Sequence, residues 1–355
     1  MRILALITES FGGIGGIAQS NQDLLKALAE TELGNEIVVL PRFSDKKIEN
    51  LPNRIKFMPP QRGRLAYGLF SFGVLMSKGR FDMIFCGHIF MSPLAAFLSD
   101  FARIPFWAHL YGVESWQKPS SLIRRSVEKA KFVTAISRYT RRRFLSWANV
   151  APGSVHLLPP VLHERFSPGP KPIDLIKRYG FEGKKVLLTV GRLSKAEKYK
   201  GHDKVIKVLP RLVKSYPDLV YAIAGDGDDR PRLENWAKQC GVDRHVFFMG
   251  EAEDSELPLI YRMADGFAMP STGEGFGIVF LEAAASGVPV LGGNQDGSTD
   301  ALLDGEFGLM VNPENEEDLI QGLEKLLIKK TSLKEPRDHF SYLNFKQQLQ
   351  HLLKE

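Results

Sequence analysis

Short apolar runs separated by segments of helical periodicity recur along the whole chain. In the first half, strand-like runs at 3–7, 36–40, 82–86, 105–110 and 132–135 alternate with helical patterns at 17–30 and 93–101. A second series follows, with strands at 185–190, 220–224, 245–248, 266–269 and 288–291 and helices at 202–215, 231–239, 256–264 and 278–285. Alternation of this kind predicts an α/β fold with two doubly wound parallel sheets. Between the series, 158–170 is rich in proline and has no periodicity, which is the composition of a linker. The expected division is therefore 1–165 and 166–337. A final amphipathic stripe follows, made of Phe340, Leu343, Phe345, Leu349, Leu352 and Leu353, and predicts a helix at about 338–355.

With 355 residues, 44% of them hydrophobic and 25% charged, the chain has the composition of a globular protein large enough for two cores. The run MRILALI is too short for a signal peptide, and the most apolar later window is interrupted by Asp100 and Arg103, so no membrane-spanning helix is expected. Cys86 and Cys240 stand far apart without metal or CxxC spacing and read as reduced core thiols, which points to a cytoplasmic location. The net charge of +6 is uneven. Eight basic residues, Arg124, Arg125, Lys129, Lys131, Arg138, Arg141, Arg142 and Arg143, fall between Ser120 and Val150 against the single acid Glu128. Nucleic-acid motifs and aromatic interleaving are missing there. The segment reads first as a plain solvated face; the alternative is that a basic helix beside Phe144, Leu145 and Trp147 makes peripheral contact with an anionic membrane.

The candidate chemistry centres on 273–290, GEGFGIVFLEAAASGVPV. Glu274 precedes a short helix and Glu282 lies on it, among Phe280, Leu281 and alanines where an unpaired charge is costly. A helix N-terminus offers free amides and positive potential, and Gly275 and Gly277 leave it open to a ligand, so it can seat a phosphate. Carboxylates accept hydrogen bonds from sugar hydroxyls. Glu274 and Glu282 on either side of that seat would bracket a nucleotide-sugar. Upstream, Arg192 follows a strand and Lys200 precedes a helix, and such cations can stabilise a diphosphate leaving group without a metal. Lys195 and Lys198 in the intervening 194–199 leave open which lysine does so.

The Glu-x7-Glu pattern, the alanine-rich helix and the Gly-x-Pro-Val that ends it resemble the donor-site motif of retaining glycosyltransferases of family 4, which have the GT-B fold. The resemblance covers the second half strongly and the first half loosely. It implies a Rossmann-like acceptor domain at 1–165 and a donor domain at 166–337, with the terminal helix crossing back. Glu282 would hold the donor ribose and Glu274 the donor sugar, with Gly275, Phe276, Gly277, Ile278 and Val279 around the phosphates. Arg192 and Lys200 would clamp the diphosphate and Glu251 would line the base pocket. Gly15 and Gly16 would approach the donor from the turn after the first strand, where Gly12 and Gly13 also lie. That turn lacks the G-x-G-x-x-G spacing, and no acid ends the second strand, which argues against NAD or FAD. His109, in His-Leu-Tyr-Gly-Val-Glu, resembles the family histidine that contacts the transferring sugar.

His88 and His109 are both expected to emerge at carboxyl ends of strands, and His88 and Glu114 are the acceptor candidates. Ser137 also resembles a family position, without a clear role. No cofactor and no metal are expected. The donor would be a nucleotide-sugar, with UDP-glucose first, and the acceptor a saccharide or lipid-linked saccharide in polysaccharide synthesis. The same fold could serve a sugar-nucleotide epimerase, although no acid/base pair for one is apparent, or a non-catalytic carbohydrate-binding protein.

Overall fold

The computed structural model describes residues 1–11, 13, 15–44, 51–328 and 334–354. The chain divides into two compact units, Met1–Val161 with Phe340–Glu355, and Leu162–His339. The change of unit thus falls between Val161 and Leu162, a few residues before the position expected from sequence. Phe166, placed at that expected boundary, is fully buried in the second unit against Tyr261.

Among the described residues the first unit carries one seven-stranded parallel sheet. Its strands are β1 (Arg2–Ile7), β2 (Glu36–Pro41), β3 (Ile55–Phe57), β4 (Met83–Cys86), β5 (Phe106–Leu110), β6 (Phe132–Ala135) and β7 (Val155–Leu157), in the order β3-β2-β1-β4-β5-β6-β7. The helices are α1 (Gly16–Glu30), α2 (Arg64–Ser77), α3 (Ser92–Ala102), α4 (Ser121–Val127) and α5 (Arg138–Leu145). Successive strand residues point to opposite faces. Leu4, Leu6, Ile84 and Cys86 pack under α2 to α5, while Ile3, Ala5, Ile7 and Phe85 pack under α1.

Among the described residues the second unit has a six-stranded parallel sheet of β8 (Lys185–Val190), β9 (Leu219–Ala224), β10 (Val246–Gly250), β11 (Gly266–Met269), β12 (Val290–Gly293) and β13 (Leu309–Val311), ordered β10-β9-β8-β11-β12-β13. Its helices are α6 (Ile173–Tyr179), α7 (His202–Ser215), α8 (Arg230–Gln239), α9 (Leu257–Met263), α10 (Ile278–Ala285), α11 (Ser298–Ala301) and α12 (Glu316–Ile328). Both units are doubly wound Rossmann-like α/β folds. The last helix, α13 (Tyr342–Lys354), returns to the first unit, where Phe345, Leu349, Leu352 and Leu353 join the core beneath α1.

Several sequence expectations need correction. Phe144 is fully buried, and Leu145 and Trp147 pack against the same core, with the Trp147 indole donating to the Ser115 carbonyl at 2.9 Å. Phe144 therefore cannot lie on a leaflet, and Leu145 and Trp147 are half-buried. Cys86 is buried, and burial pushes its thiol up to about 12; Cys240 is half-buried against the edge of the second unit's core, and neither cysteine is bridged. Helix α2 escapes the periodicity analysis because it is apolar on nearly every side. Among the described residues no helix is long and apolar enough to cross a membrane.

Candidate functional site

In the second unit the strand order reverses between β8 and β11, so the loops after those two strands flank a crevice at their carboxyl ends, where α/β sheets bind ligands. The β8 loop carries Arg192 and Lys200; the β11 loop carries Glu274. The two are locked together. Thr272 N–H donates to the Tyr199 carbonyl at 2.9 Å. Gly201, left-handed at φ 79°, comes so near the other loop that a Cβ would lie 2.5 Å from the Pro270 carbonyl oxygen.

Within this crevice Glu197 binds both cations. One carboxylate oxygen pairs with the Arg192 guanidinium and the other lies 2.7 Å from Lys200 Nζ. Arg192 is 80% exposed and Lys200 only 12%. Lys195 and Lys198 point to solvent, so Lys200 is the lysine directed inward. Glu197 was not anticipated, although its place between the Gly-Arg and Lys-Gly pairs was the available signal.

Glu274 is half-buried beside these groups. Burial pushes its carboxyl up to about 7; Lys200 and Arg192 oppose the rise, while Asp296 and Glu197 add to it. Its backbone is pinned by Asp296, another residue that pattern analysis missed. Asp296 accepts from the amide of Glu274 at 2.7 Å, the hydroxyl of Ser271 at 2.8 Å and the amide of Ser298 at 2.9 Å. A lone aspartate 22 residues from the glutamate carries no sequence signature for this.

Helix α10 starts directly after this loop. Gly277, left-handed at φ 86°, forms its N-cap, and a Cβ there would meet the Phe280 ring at 2.5 Å. The Phe280 amide bends back to the Gly277 carbonyl at 3.1 Å, while Ile278 and Val279 open the first turn, whose amides have no partner inside the helix. Gly275 and Phe276 form the approach, with Phe276 buried. The arrangement presents positive potential beside Lys200 and suits a phosphate. Further along the helix, the half-buried Glu282 accepts from the Tyr261 hydroxyl at 2.7 Å. Burial raises its carboxyl, against the lowering effect of that hydrogen bond and of Arg165 and His163. Glu251, just after β10, is exposed.

The first-unit candidates form a separate group. Gly15, at φ 98°, caps α1, and added Cβ atoms at Gly15 and Gly16 would meet only open space. Gly12 lies outside the described residues. His109 does not emerge beyond its strand as expected. It is the penultimate residue of β5, 1% exposed, with Nδ1 2.7 Å from the Thr134 hydroxyl, and burial pulls the imidazole down to about 3, so it is neutral. Trp107 donates to the same hydroxyl at 2.7 Å, which leaves the Thr134 proton free to point at His109 Nδ1. His88 sits beyond β4 and accepts from the Phe90 amide at 3.3 Å; burial, helped by Arg42, pulls it down to about 4.

Glu114 uses one oxygen to accept from the amides of Tyr111 at 2.6 Å and Gly112 at 3.1 Å, so that oxygen shapes its own turn. The Tyr111 hydroxyl in turn donates to Asn21 on α1 at 2.6 Å, a contact across 90 residues that no local pattern announces. Ser137 caps α5 by accepting from the Thr140 amide at 3.0 Å.

Two family models match, Glycosyltransferase Family 4 over residues 14–163 and Glycosyl transferases group 1 over 174–346. A GDP-mannose-dependent alpha-(1-6)-phosphatidylinositol monomannoside mannosyltransferase of Mycolicibacterium smegmatis is 39% identical over 198 residues, which cover 54% of this chain and 51% of that protein. Its Mycobacterium tuberculosis counterpart is 35% identical over 216 residues, 59% of this chain and 55% of that one. The match thus spans about half the length of these relatives. Among solved structures, Anabaena HepE in complex with UDP superposes with a TM-score of 0.79 at 20% identity, covering 100% of both chains. Sucrose-phosphate synthase of Thermosynechococcus elongatus gives 0.78 at 20%, covering 100% of this chain and 98% of that one. With the two parallel sheets and the two domain matches, the chain belongs to the glycosyltransferases of GT-B type.

Proposed function

We propose that the chain is a retaining, metal-independent hexosyltransferase that moves a sugar from a nucleoside diphosphate donor to a saccharide or lipid-linked saccharide acceptor. The observation that carries this reading is that Arg192 and Lys200 converge on the single carboxylate of Glu197, beside the open first turn of α10. Two cations that share one oxyanion-bearing group are spaced to share a diphosphate. In this reading Arg192, Lys200 and the α10 amides stabilise the charge that builds on the departing diphosphate. Glu274 orients the sugar hydroxyls, and Glu282 accepts from the ribose. His109 is the first-unit residue that the family resemblance assigns to the sugar, acting as a neutral imidazole. The acceptor hydroxyl attacks on the leaving-group face and gives its proton to a phosphate oxygen.

UDP-glucose is one donor to test. The name of the mycobacterial relatives supports GDP-mannose as the other. A polysaccharide or glycolipid precursor suits the acceptor, and a lipid-linked one brings the chain to a membrane. The test incubates the protein with UDP-glucose, GDP-mannose and candidate acceptors and follows nucleoside diphosphate release and the anomeric configuration of the product by NMR. Release with retention is expected. No release with any donor supports a binding protein, and sugar interconversion without release supports an epimerase. Glu282→Ala should weaken nucleoside diphosphate binding by about 10- to 100-fold, the worth of a hydrogen bond to a charged group; an unchanged affinity removes Glu282 from the site.

A further inference from the structure

Helix α2 has an inner and an outer apolar face. Tyr67, Val74 and Leu75 enter the core of the first unit, yet Leu65, Leu69 and Met76 are 86%, 75% and 60% exposed. With Phe72 they follow a spacing of four, three and four, which is one stripe along a helix. The stripe continues onto α3. The Phe72 ring lies 4.9 Å from Phe101 and 6.2 Å from Phe97, and those two, one turn apart, are 53% and 56% exposed. A contiguous apolar surface of this kind on the exposed side of a folded unit marks a docking site.

Charge identifies what docks. Residues 62–143, which hold α2 to α5, carry fourteen lysines and arginines against four acids, a net charge of +10, so the rest of the +6 chain is −4. All four helices pack on one face of the sheet. Arg64 opens α2 and Lys78 closes it, Arg103 caps α3, and Lys129 reaches back to Asp100 beside Phe101 at 2.6 Å. A second copy of this chain would bring one predominantly basic helix layer, with Arg125, Arg142 and Arg143 exposed on it, against another, which is repulsive. Nucleic acid would use the cations but leave the leucines and phenylalanines in water. An anionic lipid surface satisfies both, because acyl chains accept the stripe while headgroups meet the cations.

We infer that the outer face of α2 and α3, with Leu65, Leu69, Met76, Phe97 and Phe101 inserted, is the surface by which this protein sits on an anionic bilayer. It replaces the Phe144 and Trp147 region that the sequence suggested. The contact needs neither donor nor acceptor, so it stands or falls apart from the transfer reaction.

The test floats the full chain with vesicles of phosphatidylcholine alone and of phosphatidylcholine with phosphatidylglycerol. Binding to the anionic vesicles is expected, and added salt should weaken it, by about fivefold for each lysine or arginine whose attraction to the headgroups is screened. Phe97→Ser with Phe101→Ser, and separately Leu65→Ser with Leu69→Ser, should each lower partitioning by about tenfold or more, the result of removing two inserted side chains. All four positions are exposed, and matching circular dichroism and melting curves show that each variant is folded. Lys78→Glu should weaken binding to the anionic vesicles alone. Absence of vesicle binding, or binding by both double variants that equals the parent's, overturns the inference. So does concentration-dependent self-association that the variants abolish without vesicle binding, which would make the occupant a second copy.

Discussion

Replacing Glu274 by glutamine tests the electrostatics of the crevice directly. Burial raises this carboxyl from an ordinary 4.5 to about 7. At 1.36 kcal/mol per pH unit the shift is worth at most about 3 kcal/mol, and about 1–3 once the half-exposed position of the side chain is allowed for. The sign follows from linkage. A group whose folded pKa is raised contributes stability below 4.5 that is lost as pH rises through about 7, because the folded chain must then hold a buried charge. Glutamine titrates nowhere in this range. Glu274→Gln should therefore gain stability relative to the parent between pH 4.5 and about 8, and scanning calorimetry should show the difference as about 2–4 °C in Tm per kcal/mol for a unit of this size. The Lys200→Met form should move the parental loss to higher pH, since Lys200 favours the charged carboxylate. A Tm difference between Glu274→Gln and the parent that stays constant across this window would refute the argument from burial.

Two further outcomes follow from the same loops. Lys200→Ala should reduce UDP or GDP affinity by about tenfold or more in titration calorimetry, while Lys195→Ala, which points to solvent, should change it by less than about twofold. Gly201→Ala should lower stability by about 1–3 kcal/mol in urea unfolding, because alanine is strained at φ 79° and its methyl would press on the Pro270 carbonyl; an unchanged midpoint would show that the loops are not locked there.

The inner strands of both sheets were readable from sequence because each is a short, almost wholly apolar run, and the alternation with helices sets the parallel winding; β3, β7 and β13, three residues each, were too short to show a pattern. Helix α2 was not, since a segment apolar toward both core and solvent has no 3.6-residue contrast to detect. The glycines and charges of the crevice were visible because they cluster within a few positions of strand ends. What escaped were groups that matter through distant partners. Asp296 holds Glu274 from 22 residues away, and Tyr261 meets Glu282 across 21. His109 illustrates the opposite error: its position at the end of an apolar strand suggested emergence, but the side chain turns inward to Thr134.

The return of α13 to the first unit bears on how this protein is made. Leu349, Leu352 and Leu353 fill the core under α1, yet they follow the whole of the second unit in the chain. During synthesis the half that leaves the ribosome first must wait, with an apolar flank of β1 and α1 uncovered, while the later-made unit can close around its own contiguous sequence. The order of emergence and the order of completion are reversed, and the nascent first unit is the part that a chaperone would be called on to shield.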